Sequence, residues 1–439
     1  MNVYTKRQRI AEIAKRHREE PITVLHHYID EAWLTVAYYS LPKDKATGVD
    51  NQSWLEYGEN LEENIKSLLN RAKSGSYKAP PVRGVDIPKP GSKEKRKLGI
   101  PTTEDKVLQK AVLMLLEPIY ELEFLEFSFG FRRGKSQHQG LEYLWKGIMD
   151  NNIQWVIDLD IRKFFDTVKH EILRQLLRIR VRDGVITRLI GKWLKAGVLE
   201  KGSISYSDEG TPQGVVISPM LSNIYLHEAL DKWYADEVKP KLEGRSTIIR
   251  YADDVIMGFE SKEEAERVLE SLRYRLEGFG LELHPEKTRL INFSKPKEGV
   301  SRRNGTRPGT FDFLGFTHFW AKSYKGNWIV RRKTSKKKFK EKLKKMNEWC
   351  RKYRHFPLWW QHRKLCQKLK GHYAYYGITG NIISLQEYLR EVTRIWKKWL
   401  NRRSWRGDKL DWDKFRVLLK EHIPLPPAKI VHSIYAAKP

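Results

Sequence analysis

The chain has 439 residues, 83 Lys and Arg against 54 Asp and Glu, a formal net charge of +29 and a pI near 9.8. With 40% hydrophobic residues it can bury proper cores, which excludes a disordered chain. The surplus of cations points to a polyanion, because each phosphate neutralised releases a counterion. No apolar run reaches the roughly 18 residues of a spanning helix, "MNVYTKRQRI" lacks a secretory segment, and Cys350 and Cys366 make neither a disulfide framework nor a zinc pattern. The expectation is a reduced, cytoplasmic protein with no membrane partner.

In chain order, residues 1 to 45 read as mostly helical, "KATGVD" (45–50) as a turn, and "NLEENIKSLLNRAKSGSY" as an amphipathic helix stopped near Gly75. "PPVRGVDIPKPGSKEKRKLGIPT" (80–102) predicts a basic hairpin, and "DKVLQKAVLMLLEPIYELEF" a buried helix. "IQWVIDLDI" (153–161) predicts a strand, followed by a helical stretch to about 200. "STIIRYADDVIMGF" (246–259) sets two apolar runs around Asp253 and Asp254. In "SKEEAERVLESLRYRLEGFG", Ser261 and Glu264 predict a capping box, and Gly278 sits where the helix should end. "RRKTSKKKFKEKLKK" (331–345) then holds ten basic residues and one acidic. The chain stays helical, basic and rich in Trp and Tyr to about 405, with a composition boundary near 320. No internal repeat stands out.

The adjacent carboxylates have two readings. An acidic hairpin apex facing water is one. In the other, a strand-end Asp160 lies beside the Asp253–Asp254 apex, and the three carboxylates, mutually repulsive when empty, hold hard cations. Two such ions about 3.5–4 Å apart activate a 3′-hydroxyl and stabilise leaving pyrophosphate.

Together these residues resemble a known family. D-x4-F (Asp160 to Phe165) followed by YADD resembles the palm of reverse transcriptases. "ATGVD", "IPKPGSKEKRKLGIPT", "SFGFRRGKSQHQG", "GTPQGVVISPMLSNIYL", "LHPEKT" and "FDFLGF" follow in the order of proteins encoded by group II introns, and "GHYAYYGITGN" (371–381) resembles their maturase, or thumb, region. The resemblance covers nearly the whole chain. It implies an α+β right-hand polymerase fold: fingers and palm with an antiparallel sheet plus helices, then an α-helical thumb/maturase domain. The expected division is a helical extension at 1–75, fingers and palm at 76–320, thumb at 321–405, and a short basic appendage at 406–439, a remnant of a DNA-binding segment.

The resemblance also implies roles. Asp160, Asp253 and Asp254 would be the catalytic, metal-binding triad, completed by the backbone carbonyl of Ile161, for two Mg²⁺ ions with Mn²⁺ as a substitute. Lys89 and Arg96 would grip the incoming dNTP. Phe165 would exclude a 2′-hydroxyl, Gln213 would lie over the nascent pair, and Lys287 beside the site. Asp158 and Asp166 are read as structural. Arg331, Arg332, Lys333, Lys336, Lys337 and Lys338, with Tyr375 and Tyr376, would contact nucleic acid. Partners would be group II intron RNA or another RNA template, a DNA or RNA primer and target DNA, in a cytoplasmic ribonucleoprotein, with monomer or dimer left open.

The chain departs from the family at Lys97, where Pro is common, at Arg133 before Gly134, and at Val215 in place of a second Gly. No metal ligand is affected. With no Cys after Cys366, the expectation is no C-terminal endonuclease. Three alternatives stand beside the polymerase with maturase activity: a splicing-only RNA-binding protein, a related reverse transcriptase recruited to defence or repair, and an RNA-dependent RNA polymerase, which Phe165 disfavours.

Overall fold

The computed structural model describes residues 2–88, 95–200, 203–210, 214–296, 308–403 and 410–434. The chain divides into two units, residues 1–147 with 151–290, and residues 291–439 with 148–150. Residue 320, where composition changes, lies within a strand of the second unit, so the two boundaries do not coincide.

The first unit opens with helices α1 (Val3–Arg16), α2 (Glu31–Tyr39), α3 (Trp54–Glu59) and α4 (Leu61–Ser74). Helix α4 stops, as its sequence predicts, at Gly75 with φ +88°, a conformation that costs glycine nothing. Strands β1 (Val82–Pro88) and β2 (Lys95–Ile100) form the basic hairpin, from Arg83↔Ile100 to Pro88↔Lys95. Helix α5 (Thr103–Tyr120) follows, capped by Thr102, whose side chain accepts from the Asp105 amide. Most of its residues are buried. Val107, Leu108, Ala111, Val112, Leu115, Leu116 and Ile119 are fully buried, so it forms the hydrophobic axis of this unit. Trp33 of α2 packs on it and donates its indole N–H to the Ala111 carbonyl at 3.0 Å.

Helix α6 (Gln137–Asp150) leads to β3 (Trp155–Leu159), and the expected helical stretch resolves into α7 (Phe164–Thr167), α8 (His170–Arg180) and α9 (Gly184–Leu194). It ends short of 200, because β4 (Val198–Glu200) begins there and pairs in parallel with β1 at Val82 and Arg83. With β5 (Ser203–Ser205) the order is β2-β1-β4-β5. Helix α10 (Ser218–Leu226) runs on into π-helical turns at His227–Asp231 and Trp233–Val238. Strands β6 (Ser246–Tyr251) and β7 (Asp254–Phe259) make the expected hairpin. Helix α11 (Lys262–Gly278) follows, and β8 (Arg289–Asn292) completes the sheet β6-β7-β3-β8.

The predicted capping box at Ser261 is half made. Its side chain accepts from the Glu264 amide, but the Glu264 carboxylate accepts from the amides of Glu243 and Gly244 instead. The helix also includes Gly278, and the left-handed glycine is Gly280.

The second unit sets β9 (Phe311–Phe313), β10 (Phe316–Lys322) and β11 (Trp328–Thr334), in the order β11-β10-β9, with helices α12 (Lys336–Lys352), α13 (Leu358–Tyr376), α14 (Ile382–Leu400) and α15 (Trp412–Glu421). Leu365, Leu369, Leu385, Val392, Trp396 and Phe415 are its fully buried apolar side chains on the helices. The observed class is the α+β expected. Among the described residues no helix is long and apolar enough to cross a membrane.

One core carboxyl has a measurable consequence. Asp105 is buried at the start of α5, where it accepts hydrogen bonds from the Tyr77 hydroxyl and, at 3.2 Å, the Trp193 indole. Burial pushes it up to about 7, against a smaller opposing pull from Trp193. The folded state therefore binds a proton that the unfolded chain has already lost, and this group's stabilisation fades as pH rises through 7. Urea unfolding should give about 1 kcal/mol less stability at pH 8 than at pH 6 from this group. Asp105→Asn should remove that difference.

Candidate active site

The register of β3 on β7 decides where the carboxylates fall. Leu159 pairs with Val255 and Asp158 with Ile256, so Asp160, one residue past the end of β3, arrives beside the start of β7. Tyr251 pairs with Asp254 across the hairpin, leaving Ala252 and Asp253 as a two-residue turn. Asp160, Asp253 and Asp254 are thereby gathered at one end of the sheet. Ile248, Ile249, Val255, Ile256 and Met257 are all essentially without exposure, so both faces of the hairpin are covered and the register is pinned.

The backbone at Asp160 is held from the other side. Its carbonyl accepts from the His284 amide at 2.8 Å, the Arg162 amide donates to the Glu282 carbonyl at 2.8 Å, and the Thr288 hydroxyl donates to the Asp160 carbonyl at 3.2 Å. Ile161 is bridged to Leu283, and neither of the two flanking amide–carbonyl bonds uses its own carbonyl.

Electrostatics mark Asp253. Burial pushes its carboxyl above the usual range, and nearby Asp160 adds to this. Arg96 and Arg250 pull the other way. Arg96, on β2 opposite Ile87, thus projects its charge onto the carboxylates. Its neighbours Lys95 and Lys97 are paired with Asp86 and Glu200, at 3.3 and 3.0 Å; among the described residues Arg96 has no carboxylate in ion-pair contact. Lys287 donates to Asp160 Oδ2 at 2.9 Å, and Arg289 to Asp158 Oδ2 at 2.6 Å. Phe165 is half-buried, its ring 5.3 Å from that of Phe164. Lys89 and Gln213 lie outside the described residues.

Among the described residues no group of three or more His, Cys, Asp or Glu side chains stands closed around a common point. Asp160 is engaged with the Lys287 ammonium instead. The donor set is nonetheless all hard carboxylate oxygen, and burial and Asp160 disfavour the charged form of a half-buried Asp253 when no cation is near, chemistry that fits a hard divalent cation.

In the second unit the expected nucleic-acid contacts divide. Lys333, Lys336 and Lys337 are exposed, Lys338 is paired with Glu341 at 3.3 Å, and Arg331 is half-buried. Arg332 and Tyr376 are buried and cannot serve as surface contacts. Arg332 lies opposite His318 in the sheet, and the Tyr376 ring packs 5.3 Å from Phe316. Tyr375 donates its hydroxyl to the Leu314 carbonyl at 2.9 Å and stacks on Phe316. Alternation on β11 turns Arg332 inward, which a count of charges does not reveal.

What sequence reasoning missed lies behind the turn. Arg250 is fully buried and forks onto Asp231, also fully buried, at 2.7 and 2.5 Å. Burial alone would raise Asp231, but the Arg250 guanidinium holds it below the usual carboxylate range. The remaining Arg250 donor reaches Asn223 Oδ1 at 2.8 Å and the Ala252 carbonyl at 3.2 Å, and Asn223 donates to the Gly130 carbonyl at 2.8 Å. Ala252 has φ +58°, uncommon for a residue with a Cβ. A Cβ on Gly130 would stand 2.2 Å from the Ala252 amide nitrogen, so only glycine lets the two backbones meet. The visible signal was Arg250 itself, a lone cation inside an apolar strand.

Comparison with known proteins bears on this geometry. Residues 87–318 match the family model for reverse transcriptase (RNA-dependent DNA polymerase). The chain is 31% identical over 365 residues to the group II intron-encoded protein LtrA of Lactococcus lactis subsp. cremoris, covering 68% of this chain and 60% of that protein. It is 35% identical over 275 residues to protein YkfC of Escherichia coli K12, covering 55% and 71%. It is 31% identical over 141 residues to nuclear intron maturase 3, mitochondrial, of Arabidopsis thaliana, covering 32% and 19%.

Asp231→Ala would leave Arg250 buried and unpaired, and should lower unfolding free energy by about 3–5 kcal/mol. The double replacement Asp231→Leu/Arg250→Met should return to within about 2 kcal/mol of wild type, since the ion pair contributes little net stability over an apolar pair. Denaturant unfolding of the two variants beside wild type measures both.

Proposed function

The chain belongs to the reverse transcriptase family, and we propose that it is the RNA-directed DNA polymerase of a group II intron, copying RNA into DNA and assisting its intron to fold, splice and move. The observation that carries this reading is the β3–β7 register, which gathers Asp160, Asp253 and Asp254 at one sheet end with Arg96 projecting charge onto them.

In this reading the three carboxylates, with the Ile161 carbonyl, would hold two Mg²⁺ ions, for which Mn²⁺ could substitute. When bound, the ions supply a lowered pKa for the primer 3′-hydroxyl and charge stabilisation for leaving pyrophosphate. The side chains have their own tasks. Lys287, which here donates to Asp160, would lie beside the nucleotide if that carboxylate served a cation. Arg96, which has no carboxylate in ion-pair contact among the described residues, offers a planar guanidinium to the triphosphate, with Lys89 as a second cation from the same hairpin. Phe165 packs against the deoxyribose where a 2′-hydroxyl would need room. Gln213 hydrogen-bonds over the nascent pair.

Lys333, Lys336 and Lys337 support RNA or DNA binding by the second unit. So do cation–π contacts that keep Trp and Lys or Arg interleaved, among them Lys368 on Trp349 and Arg363 on Trp359. Template, primer, target DNA and intron RNA are the partners, in a cytoplasmic ribonucleoprotein. The alignment spans 60% of the length of the LtrA relative, so what that whole protein does is carried here only as part of this proposal.

Primer extension on an RNA template with Mg²⁺ and dNTPs tests the proposal. Wild type should extend, and Asp253→Asn should fall by a factor of roughly a thousand or more. Loss of extension in a folded wild type would leave the splicing role alone. Phe165→Ala should extend with dNTPs while raising NTP incorporation by about tenfold, the scale of one steric discrimination.

A further inference from the structure

The block "LHPEKT" (283–288) leaves one residue without a task. Lys287 reaches the Asp160 carboxylate, but Thr288, next to it, turns to the Asp160 backbone. Its hydroxyl donates to the Asp160 carbonyl at 3.2 Å and accepts from the Asp160 amide at 3.4 Å. One side-chain oxygen thus holds both backbone polar groups of the residue that carries the first carboxylate.

The place where the strands stop explains why this support is needed. The described ladder between β3 and β7 ends at Leu159 and Val255, one residue before Asp160. On the other flank, β8 begins at Arg289, one residue after Thr288. Thr288 therefore bridges the gap with a side chain where a longer strand would use backbone. The turn that carries it is stiff. The Thr288 amide donates to the His284 carbonyl at 3.0 Å, the Glu286 amide donates to His284 Nδ1 at 3.3 Å, and Pro285 fixes φ between them.

The contact also sorts two neighbouring carbonyls. A backbone carbonyl has two lone pairs, and those of Asp160 are taken by the His284 amide at 2.8 Å and by the Thr288 hydroxyl. The antiparallel bridge between Ile161 and Leu283 is made through the flanking residues, Asp160 with His284 and Arg162 with Glu282. In that pattern the bridged residue points its own N–H and C=O away from its partner. Holding the Asp160 carbonyl toward the turn therefore holds the Ile161 carbonyl the opposite way. A threonine that only stabilised its loop could bond anywhere along it. This one gives both its donor and its acceptor to Asp160.

We propose that Thr288 is a positioning residue of the polymerase site, setting through the Asp160 backbone the direction of the Asp160 carboxylate and of the Ile161 carbonyl. The inference rests on the polymerase reading for the reaction that Thr288 serves.

The test compares two variants of the full-length protein. Thr288→Val keeps the branched shape and removes the hydroxyl; Thr288→Ser keeps the hydroxyl. Thr288 is half-buried, and thermal melting checks that both variants fold. On an RNA template, Thr288→Val should lower kcat roughly five- to tenfold, the scale of one or two neutral hydrogen bonds, with KM for dNTP and primer within about twofold. The Mg²⁺ concentration for half-maximal extension should rise several-fold. Thr288→Ser should bring both quantities back to within about twofold of wild type. A second readout needs no turnover. Mn²⁺ binding to the protein alone, followed by electron paramagnetic resonance and corrected for binding to Asp253→Asn, should weaken several-fold in Thr288→Val and stay unchanged in Thr288→Ser.

Wild-type Mg²⁺ dependence and Mn²⁺ affinity in Thr288→Val would overturn the proposal even if kcat fell, because a purely structural loss lowers the active fraction alone. So would a Thr288→Ser variant as impaired as Thr288→Val, since the hydroxyl would then be irrelevant. A higher KM for primer or dNTP with unchanged kcat would put Thr288 against the substrate and overturn it too. Failure of wild type to extend any primer would sink the polymerase reading instead, and Mn²⁺ binding would still decide the role of Thr288. Failure of wild type to bind more Mn²⁺ than Asp253→Asn would leave kcat, Mg²⁺ dependence and serine rescue to decide it.

Discussion

The buried pair between Arg250 and Asp231 is the interaction on which the candidate active site depends. Neither side chain has measurable exposure, and removing two charges from water is expensive unless every donor is satisfied. Here the fork is filled on one side by Asp231 and on the other by Asn223 and the Ala252 carbonyl. An apolar pair of similar volume would cost less, so its presence calls for a role beyond stability. That role is geometric. The guanidinium ties the π-helical turn that carries Asp231, the helix that carries Asn223 and the loop that carries Gly130 to one left-handed residue, Ala252. The residue after it is Asp253.

The site was legible in the sequence where chemistry and local pattern coincide. Asp160 ends an apolar strand run, and Asp253–Asp254 split two others, so strand ends and carboxylates could be placed from the alternation of apolar and polar residues. The hairpin carrying Arg96 announced itself through Pro, Gly and Lys at its apex. Asp231 was not legible, because it reaches Arg250 from 19 residues upstream through widened helical turns whose periodicity follows no standard spacing. Glu264 shows the same limit from the other direction. Its spacing from Ser261 is that of a capping box, yet two amides at Glu243 and Gly244 outcompete the local partner. In the second unit the run of cations on β11 looked uniform, and only the pleat separates buried Arg332 from exposed Lys333.

The two units treat aromatic residues differently. In the first, Trp33, Tyr77 and Tyr225 are buried and hold neighbouring segments through their polar tips, as with the Trp33 indole on the Ala111 carbonyl. In the second, rings at Trp349, Tyr353, Phe356 and Trp360 form a continuous cluster, with Lys352 and Lys368 over its faces and Trp359 exposed beside it. Cations over rings keep their charge in water while covering apolar surface. Basic and aromatic content therefore need not compete for the same helix face.

The two sheets of the first unit also differ as mechanical supports. The carboxylates sit on a four-stranded sheet, buried on both faces where the hairpin crosses it. Strand β1, by contrast, pairs with β4 at Val82 and Arg83, and among the described residues its partner from Gly84 to Pro88 is β2. The described part of the hairpin is thus held to the rest of its sheet at one end, with Arg96, opposite Ile87, at the other. A two-stranded ribbon twists more freely than a wider sheet. Compliance in this region is therefore concentrated on the cationic side, and Arg96 can travel while the acidic side stays put.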